Sequence, residues 1–241
     1  MRDFDYQWRS LPDKKIEYNK ERIEEFLKFT KVNSKETIYD KICLDAGCGI
    51  GRYSYAMLKL GPKKVDSFDE SEEAIKKCRT INPNAKVFDI MNLKPNPVYD
   101  FVLCWGVLHH TNDPRKAFTK VTSQVKKNGG ILHIMVYHKD MQKPYEEGRK
   151  IWKTLSQDER LKYCEKMIKT LGWGTIHGWY DALNPRYNFS YTEDEIKKWF
   201  EEEGFYKIKL TQKYNINMQG MFEEEKSSFF KNIKTKLIFN E

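Results

Sequence analysis

Between Ile42 and Tyr137 short apolar runs alternate with longer amphipathic stretches. The runs "KICLDAG", "KKVDSFD", "AKVFDI", "YDFVLCW" and "GGILHIMVY" are spaced by "SYAMLKLG", "SEEAIKKCRTIN" and "DPRKAFTKVTSQVKK", which carry helical periodicity. Strands joined through helices need crossover connections, so the pattern predicts a parallel sheet. "ICL" and "ILHIMV" are apolar on both faces, as strands covered by helices should be.

The helix ends are written in local chemistry. Ser71 before Glu72, Glu73 and Ala74 predicts an N-cap with acids in the first turn, and Asp113-Pro114 an N-cap with proline at N1. "KKNGG" predicts a basic last turn and a glycine stop. After Tyr137 the alternation ceases. Pro144 to Gly172 reads as helical, with Cys164, Met167, Ile168 and Leu171 on one stripe. "YTEDEIKKWFEEEGF" reads as a helix with Thr192 as N-cap and Glu195 at N3, ending at Gly204 and leading into the strand "FYKIKL". This organisation divides the chain into an N-terminal helical lid segment, 1–41, and one domain, 42–241, with a cap inserted at about 138–190.

Composition narrows the class. The chain has 241 residues, 39% hydrophobic and 14% aromatic, which suits one packed domain with decoration, and no apolar run reaches the ~20 residues of a membrane span. "MRDFDYQWRS" lacks the apolar stretch of a signal peptide, so a cytoplasmic location is expected. Five scattered cysteines without C-x-x-C spacing fit reduced thiols better than a disulfide framework or zinc site. The net charge of +8 suits a nucleic-acid or membrane-surface partner, but 35 acids are interleaved with 43 bases. The densest basic group, Arg115, Lys116, Lys120, Lys126 and Lys127, is expected to be the solvated face of a helix.

Candidate chemistry begins at "LDAGCGIGR". Gly47, Gly49 and Gly51 allow a sharp strand-to-helix turn and close approach of a ligand to the main chain. The spacing is G-x-G-x-G; a dinucleotide fingerprint wants its third glycine one place later, where Arg52 stands. Asp45 precedes the loop, Asp69 ends the second strand where an acid can accept ribose hydroxyls, and Asp89 ends the third, where an exocyclic amine could donate to it. Three acids at successive strand ends describe an adenosine-containing, zwitterionic ligand without phosphates.

With these residues in place, the stretch from Ile42 to about Tyr137 resembles the class I S-adenosylmethionine (SAM) dependent methyltransferases: "LDAGCGIG", "VDSFDES", "FDIMNL", "YDFVLCWGVLHHTNDPRKAF" and "VKKNGGIL" follow that family's motif order. "FDYQWRSLP" and "LNPRYNFSYTEDEIKKWFEEEGF" are similar to a methyltransferase type 11/12-like branch linked to glycan or secondary-metabolite pathways. The resemblance implies an α/β, Rossmann-like sheet of seven strands, six parallel and the last antiparallel, helices on both faces, and a helical cap after strand five. It implies SAM as cofactor, S-adenosylhomocysteine as product and no metal. Carried over by motif, Asp45, Gly47, Cys48, Gly49 and Gly51 would hold the methionine end, Asp69 and Glu70 the ribose, and Asp89 and Ile90 the adenine side. Cys104 and Trp105 would line the pocket, and Tyr6 and Trp8 would form a lid over the cofactor.

His109 and His110 are adjacent, so their side chains diverge and do not chelate one ion as an i, i+4 pair does. In relatives with a similar sequence here the second position faces the acceptor, which points to His110 for acceptor binding or proton removal and to His109 as its scaffold neighbour. Tyr137, Arg149, Trp179, Arg186 and Tyr187 are the further substrate candidates, the two arginines suiting an anionic acceptor group. The leading expectation is methyl transfer to an oxygen of a sugar, lipid-linked or natural-product acceptor. RNA methylation, suggested by the charge and by the "HH" that tRNA-uridine methyltransferases also carry, is the alternative. A non-catalytic SAM-binding protein and a dinucleotide oxidoreductase rank below these two.

Overall fold

A computed structural model of the chain describes residues 4–11 and 18–223. Its core is one seven-stranded sheet in the order β3-β2-β1-β4-β5-β7-β6. The strands are β1 (Ile42–Ala46), β2 (Lys64–Asp69), β3 (Lys86–Val87), β4 (Phe101–Trp105), β5 (Ile131–Val136), β6 (Tyr206–Gln212) and β7 (Ile216–Met221). Pairings from β3 through β5 are parallel, and β7 runs antiparallel to both β5 and β6. One strand alone therefore opposes the other six, as expected. The chain reverses direction across the sheet between β1 and β4, and in such sheets the crevice at the strands' carboxyl ends binds ligands.

Ten helices surround the sheet among the described residues: α1 (Asp5–Ser10), α2 (Lys20–Thr30), α3 (Ser34–Thr37), α4 (Arg52–Lys59), α5 (Glu72–Cys78), α6 (Pro114–Thr122), α7 (Lys143–Trp152), α8 (Gln157–Leu171), α9 (Ile176–Leu183) and α10 (Glu193–Glu202). The caps read from the sequence form: Ser71 accepts from Ala74 N, Asp113 from Lys116 N, and Thr192 and Glu195 close a capping box. α10 stops at Glu202, and Gly204 follows with φ +83°. One sheet face buries Val102, Leu132, Phe118 and Phe200; the other buries Phe26, Met57, Phe101 and Leu103.

Several expectations fail where tertiary contacts outrank local signals. α6 ends at Thr122, so "KKNGG" is a turn into β5 and not a helix terminus. β3 is two residues long, and Asp89 lies beyond it as N-cap of a 3₁₀ turn, Ile90–Asn92. The 144–172 helix is two helices, broken before the Ser156–Glu159 capping box, and Leu171 is 40% exposed. The basic group is not simply solvated. Arg115 pairs with Glu202 and Glu203 at 3.1 and 2.7 Å, Lys126 with Asp100, and the Lys127 ammonium lies 3.8 Å from the Phe222 ring centre.

Among the described residues before β1, α1 and its N-cap Phe4 lie at the crevice, with α1 packed against α5 and α9; α2 packs on α4 and belongs to the sheet's flank. α7, α8 and α9 enclose a separate apolar centre of Trp152, Cys164, Trp179, Tyr180 and Leu183. Burying each large aromatic there contributes about 2–3 kcal/mol, which holds the cap as a packed unit. Residues 224–241, where the sequence left a role open, lie outside the described residues. No described helix is long and apolar enough to cross a membrane.

Candidate active site

The loop after β1 is held by main-chain bonds to the end of β2 and by one within itself. Gly47 N and Cys48 N both donate to Phe68 O at 2.8 Å, and Gly51 N donates to Cys48 O. Gly47 has φ +79°, and a Cβ built there would stand 2.3 Å from a Val107 methyl, so glycine is required by both conformation and space. A Cβ on Gly49 would meet the Trp8 indole at 3.1 Å: α1 brings that ring down onto the loop. Ser71 Oγ donates to Asp5 at 2.6 Å and Lys77 donates to the Trp8 carbonyl, which fastens α1 in place.

The three acids differ in environment. Asp45 is 2% exposed and accepts from Ser54 Oγ at 2.6 Å, and Ser54 continues through Ser67 and Asn82 to the Val65 carbonyl. Burial pushes its carboxyl up to about 6; the Ser54 hydrogen bond opposes this and the nearby Asp69 charge adds to it. A buried carboxylate of this kind favours a cationic neighbour. Asp69 accepts from Gly49 N and Ser71 N at 2.9 Å, one bond to each oxygen, so it ties loop, strand and α5 together. Asp89 accepts from Met91 N at 2.8 Å, near the edge-to-face pair Phe68–Phe88, an apolar setting suited to an aromatic base.

These groups line a cleft of about 740 Å³, large enough for an adenosine-type ligand together with part of an acceptor. At the other end, residues Leu108–His110 form a 3₁₀ turn, in which successive side chains point about 120° apart. One histidine goes in and the other out. His109 is buried against the Tyr137 ring at 3.9 Å, with neither ring nitrogen hydrogen-bonded among the described residues. Burial, then the neighbouring His110 and Arg149 charges, hold it well below the usual imidazole range, so it is neutral at pH 7. His110 lines the cleft, and its Nδ1 is 3.0 Å from the Tyr187 carbonyl. A carbonyl only accepts, so Nδ1 carries the proton and the second ring nitrogen, Nε2, is a buried atom in this structure.

Of the residues singled out in the sequence, Trp8, Asp45, Gly47, Cys48, Gly49, Asp69, Glu70, Asp89, Ile90, Trp105, His110, Arg186 and Tyr187 meet in this one cleft. Others stand outside it. Gly51 faces Cys78 and Ile81 beneath the loop, and Cys104 points into the sheet core. Tyr6 packs on Tyr180 and Trp179 lies in the cap centre. Tyr137 is half-buried, donating to Asp181 at 3.2 Å, and desolvation followed by the Asp181 charge raises its phenol well above the ordinary value. Arg149 spends its guanidinium on the Ala182 carbonyl and Gln142, so it is a cap strut and not an acceptor anchor.

α9 supplies what the sequence reading missed: Thr175, His177, Gly178 and Asp181 line the cleft. His177 and Asp181 are four apart and share a helix face, opposite Trp179, Tyr180 and Leu183. That two-sided pattern was the available signal. Among the described residues no three His, Cys, Asp or Glu side chains group as a metal site.

A family model described as a methyltransferase domain matches residues 18–210. Among curated proteins, the tRNA U34 carboxymethyltransferase of Campylobacter fetus subsp. fetus (strain 82-40) is 33% identical over 114 residues, 44% of this chain and 40% of that protein. The tRNA U34 carboxymethyltransferase of Campylobacter hominis is 26% identical over 133 residues, covering 52% and 47%. The matched stretches thus span less than half the length of these relatives. Among solved structures, magnesium protoporphyrin IX methyltransferase from Synechocystis PCC 6803 with bound SAM aligns with a TM-score of 0.55 at 14% identity over 90% of this chain and 92% of that one. A putative SAM-dependent methyltransferase from Listeria monocytogenes aligns at 0.56 with 17% identity, over 84% and 98%. At these identities the likeness is one of fold.

Proposed function

This chain belongs to the class I SAM-dependent methyltransferases, and from that premise we propose that it transfers the cofactor's methyl group to an oxygen of a uridine in transfer RNA. The observation that carries the acceptor is the likeness to relatives named for tRNA U34. The net charge of +8 agrees with a polyanionic partner.

When bound, SAM supplies a methyl on a sulfonium sulfur, already activated for in-line displacement. Everything else falls to the chain. Asp45 and the Gly47–Gly51 loop hold the methionine end, Asp69 with Glu70 the ribose, and Asp89 with Ile90 the adenine side; Trp8 closes over the loop. Trp105 and His110 border the space where an acceptor must lie, about 3 Å from the methyl and shielded from water. His110 Nε2, which the structure buries, takes the proton of a hydroxyl nucleophile once the acceptor displaces what covers it, while its Nδ1–H stays on the Tyr187 carbonyl, which fixes ring orientation.

His110→Gln and His110→Ala are expected to leave SAM affinity within about twofold and to lower kcat by about 10²-fold or more. Calorimetry with SAM and single-turnover kinetics with acceptor separate the two quantities; unchanged turnover in both variants removes the base from His110.

A small-molecule acceptor is the second reading, favoured by α9, which adds Thr175, His177 and Asp181 to the cleft lining. Label transfer from methyl-labelled SAM to bulk tRNA at low salt decides between them. Incorporation that falls steeply with salt supports RNA. Label entering only low-molecular-weight extracts from the source cells moves the assignment to the second reading.

A further inference from the structure

The segment after α9 carries two large aromatic side chains that neither the cap nor the sheet buries. Tyr187 is 37% exposed and Phe189 is 42% exposed, and their rings lie within 8° of parallel with centres 6.4 Å apart. They are two residues apart on an irregular segment, and Asn188 between them turns back to donate to the Ala182 carbonyl. Phe189 N donates to the His109 carbonyl and Tyr191 N to the Tyr137 carbonyl, so the main chain under the rings is pinned to the turn that carries the histidines.

We propose that Tyr187 and Phe189 form a stacking platform for a nucleobase of single-stranded RNA, the neighbour of the base being modified. A base held between both rings needs them about 7 Å apart; their centres are 6.4 Å apart, so seating a base widens the pair slightly. Tyr187 lines the cleft and Phe189 does not, so the platform leads outward from the site of transfer, as the path of a strand entering it would. Arg186, beside the platform and lining the cleft, supplies the positive charge a phosphate linkage seeks. Rings exposed in parallel suit RNA because every base has a face to stack. The Tyr187 carbonyl also holds His110 Nδ1, so a base seated on the platform sets its neighbour's position relative to the proton acceptor.

This inference rests on the RNA reading, and its test separates the two. A short single-stranded RNA with 2-aminopurine is titrated into the full chain with SAM present, and the fluorescence of the probe base is read. Stacking quenches it. Phe189→Ala and the Tyr187→Ala/Phe189→Ala pair are expected to weaken binding by about 5- to 100-fold and to relieve the quenching. Tyr187→Phe and Phe189→Tyr retain both, and an unchanged SAM affinity shows that all variants are folded. Quenching and affinity that persist in the double alanine variant, or a wild type that neither binds nor quenches, overturn the platform. If wild type and double variant modify tRNA equally, the platform falls and the RNA acceptor stands. If the platform binds RNA but no label reaches tRNA, the acceptor assignment falls and the platform stands.

Discussion

Asp45→Asn is expected to weaken SAM binding by about 100-fold or more while leaving the ligand-free protein at least as stable as wild type. The two effects have one cause. Burial raises the Asp45 carboxyl to about 6, above the ~3.9 of an unfolded aspartate, so folding favours its protonated form. The stability this group contributes is fully present below about pH 4 and is lost as pH rises through 6. At pH 7.5 the buried charge costs on the order of 2–3 kcal/mol. Asparagine removes that cost and still offers an oxygen to Ser54 Oγ. The groups facing Asp45 are Ser54, Asp69 and Arg52, and the desolvation outweighs them all. A cofactor ammonium reverses the balance, because a cation beside a buried carboxylate offsets its lost hydration. SAM affinity of the wild type should therefore fall as pH drops through about 6. Thermal melts with and without SAM between pH 5 and 8 read both effects. A variant that keeps the SAM-induced rise in Tm, or melts well below wild type, would assign Asp45 to the scaffold instead.

The readable and unreadable parts of this protein divide by range of interaction. Ser71, Asp113 and Thr192 cap helices through bonds to residues three positions on, and Gly47, Gly49 and Gly51 adopt the positive φ that glycine marks, so sequence alone identifies them even though Phe68 and Asp69 of β2 complete the loop. "KKNGG" carries the same local chemistry but is a turn, because Lys126 N pairs with the Tyr99 carbonyl and aligns the chain beside the start of β4, ready for β5. No local signal reports that pairing. Arg149 looked like an anion anchor because a buried guanidinium needs a partner; the partner is a carbonyl within the cap, 33 positions away in the chain. The histidine pair shows both cases at once. Adjacency excluded a chelating pair, yet which ring turns inward depends on the 3₁₀ turn and on Tyr137 waiting behind it.

Asp69 is where the sequence reading and the geometry reinforce each other, and Asp69→Asn should be among the most damaging conservative changes in the chain. The sequence marks this acid as a ribose ligand by its place at the end of β2; the structure adds that each of its oxygens already accepts a backbone N–H, from Gly49 and from Ser71. An amide group cannot reproduce this. Whichever way the asparagine is turned, its NH₂ faces a backbone donor, so one hydrogen bond is lost and two donors are forced together. A charged hydrogen bond of this kind is worth about 1.5–3 kcal/mol, and the loss falls on the contact that holds Gly49 in its left-handed conformation. The loop then relaxes away from the cofactor at the position where the ribose acceptor has also been weakened. The expected result is a drop in Tm together with SAM affinity lowered by 10²-fold or more. Asp69→Ala, which removes the acid without adding a misplaced donor, should be no worse in stability than the asparagine variant. Calorimetric SAM titrations beside thermal melts test the pair: an asparagine variant that binds SAM normally would show that the carboxylate serves neither ribose nor loop.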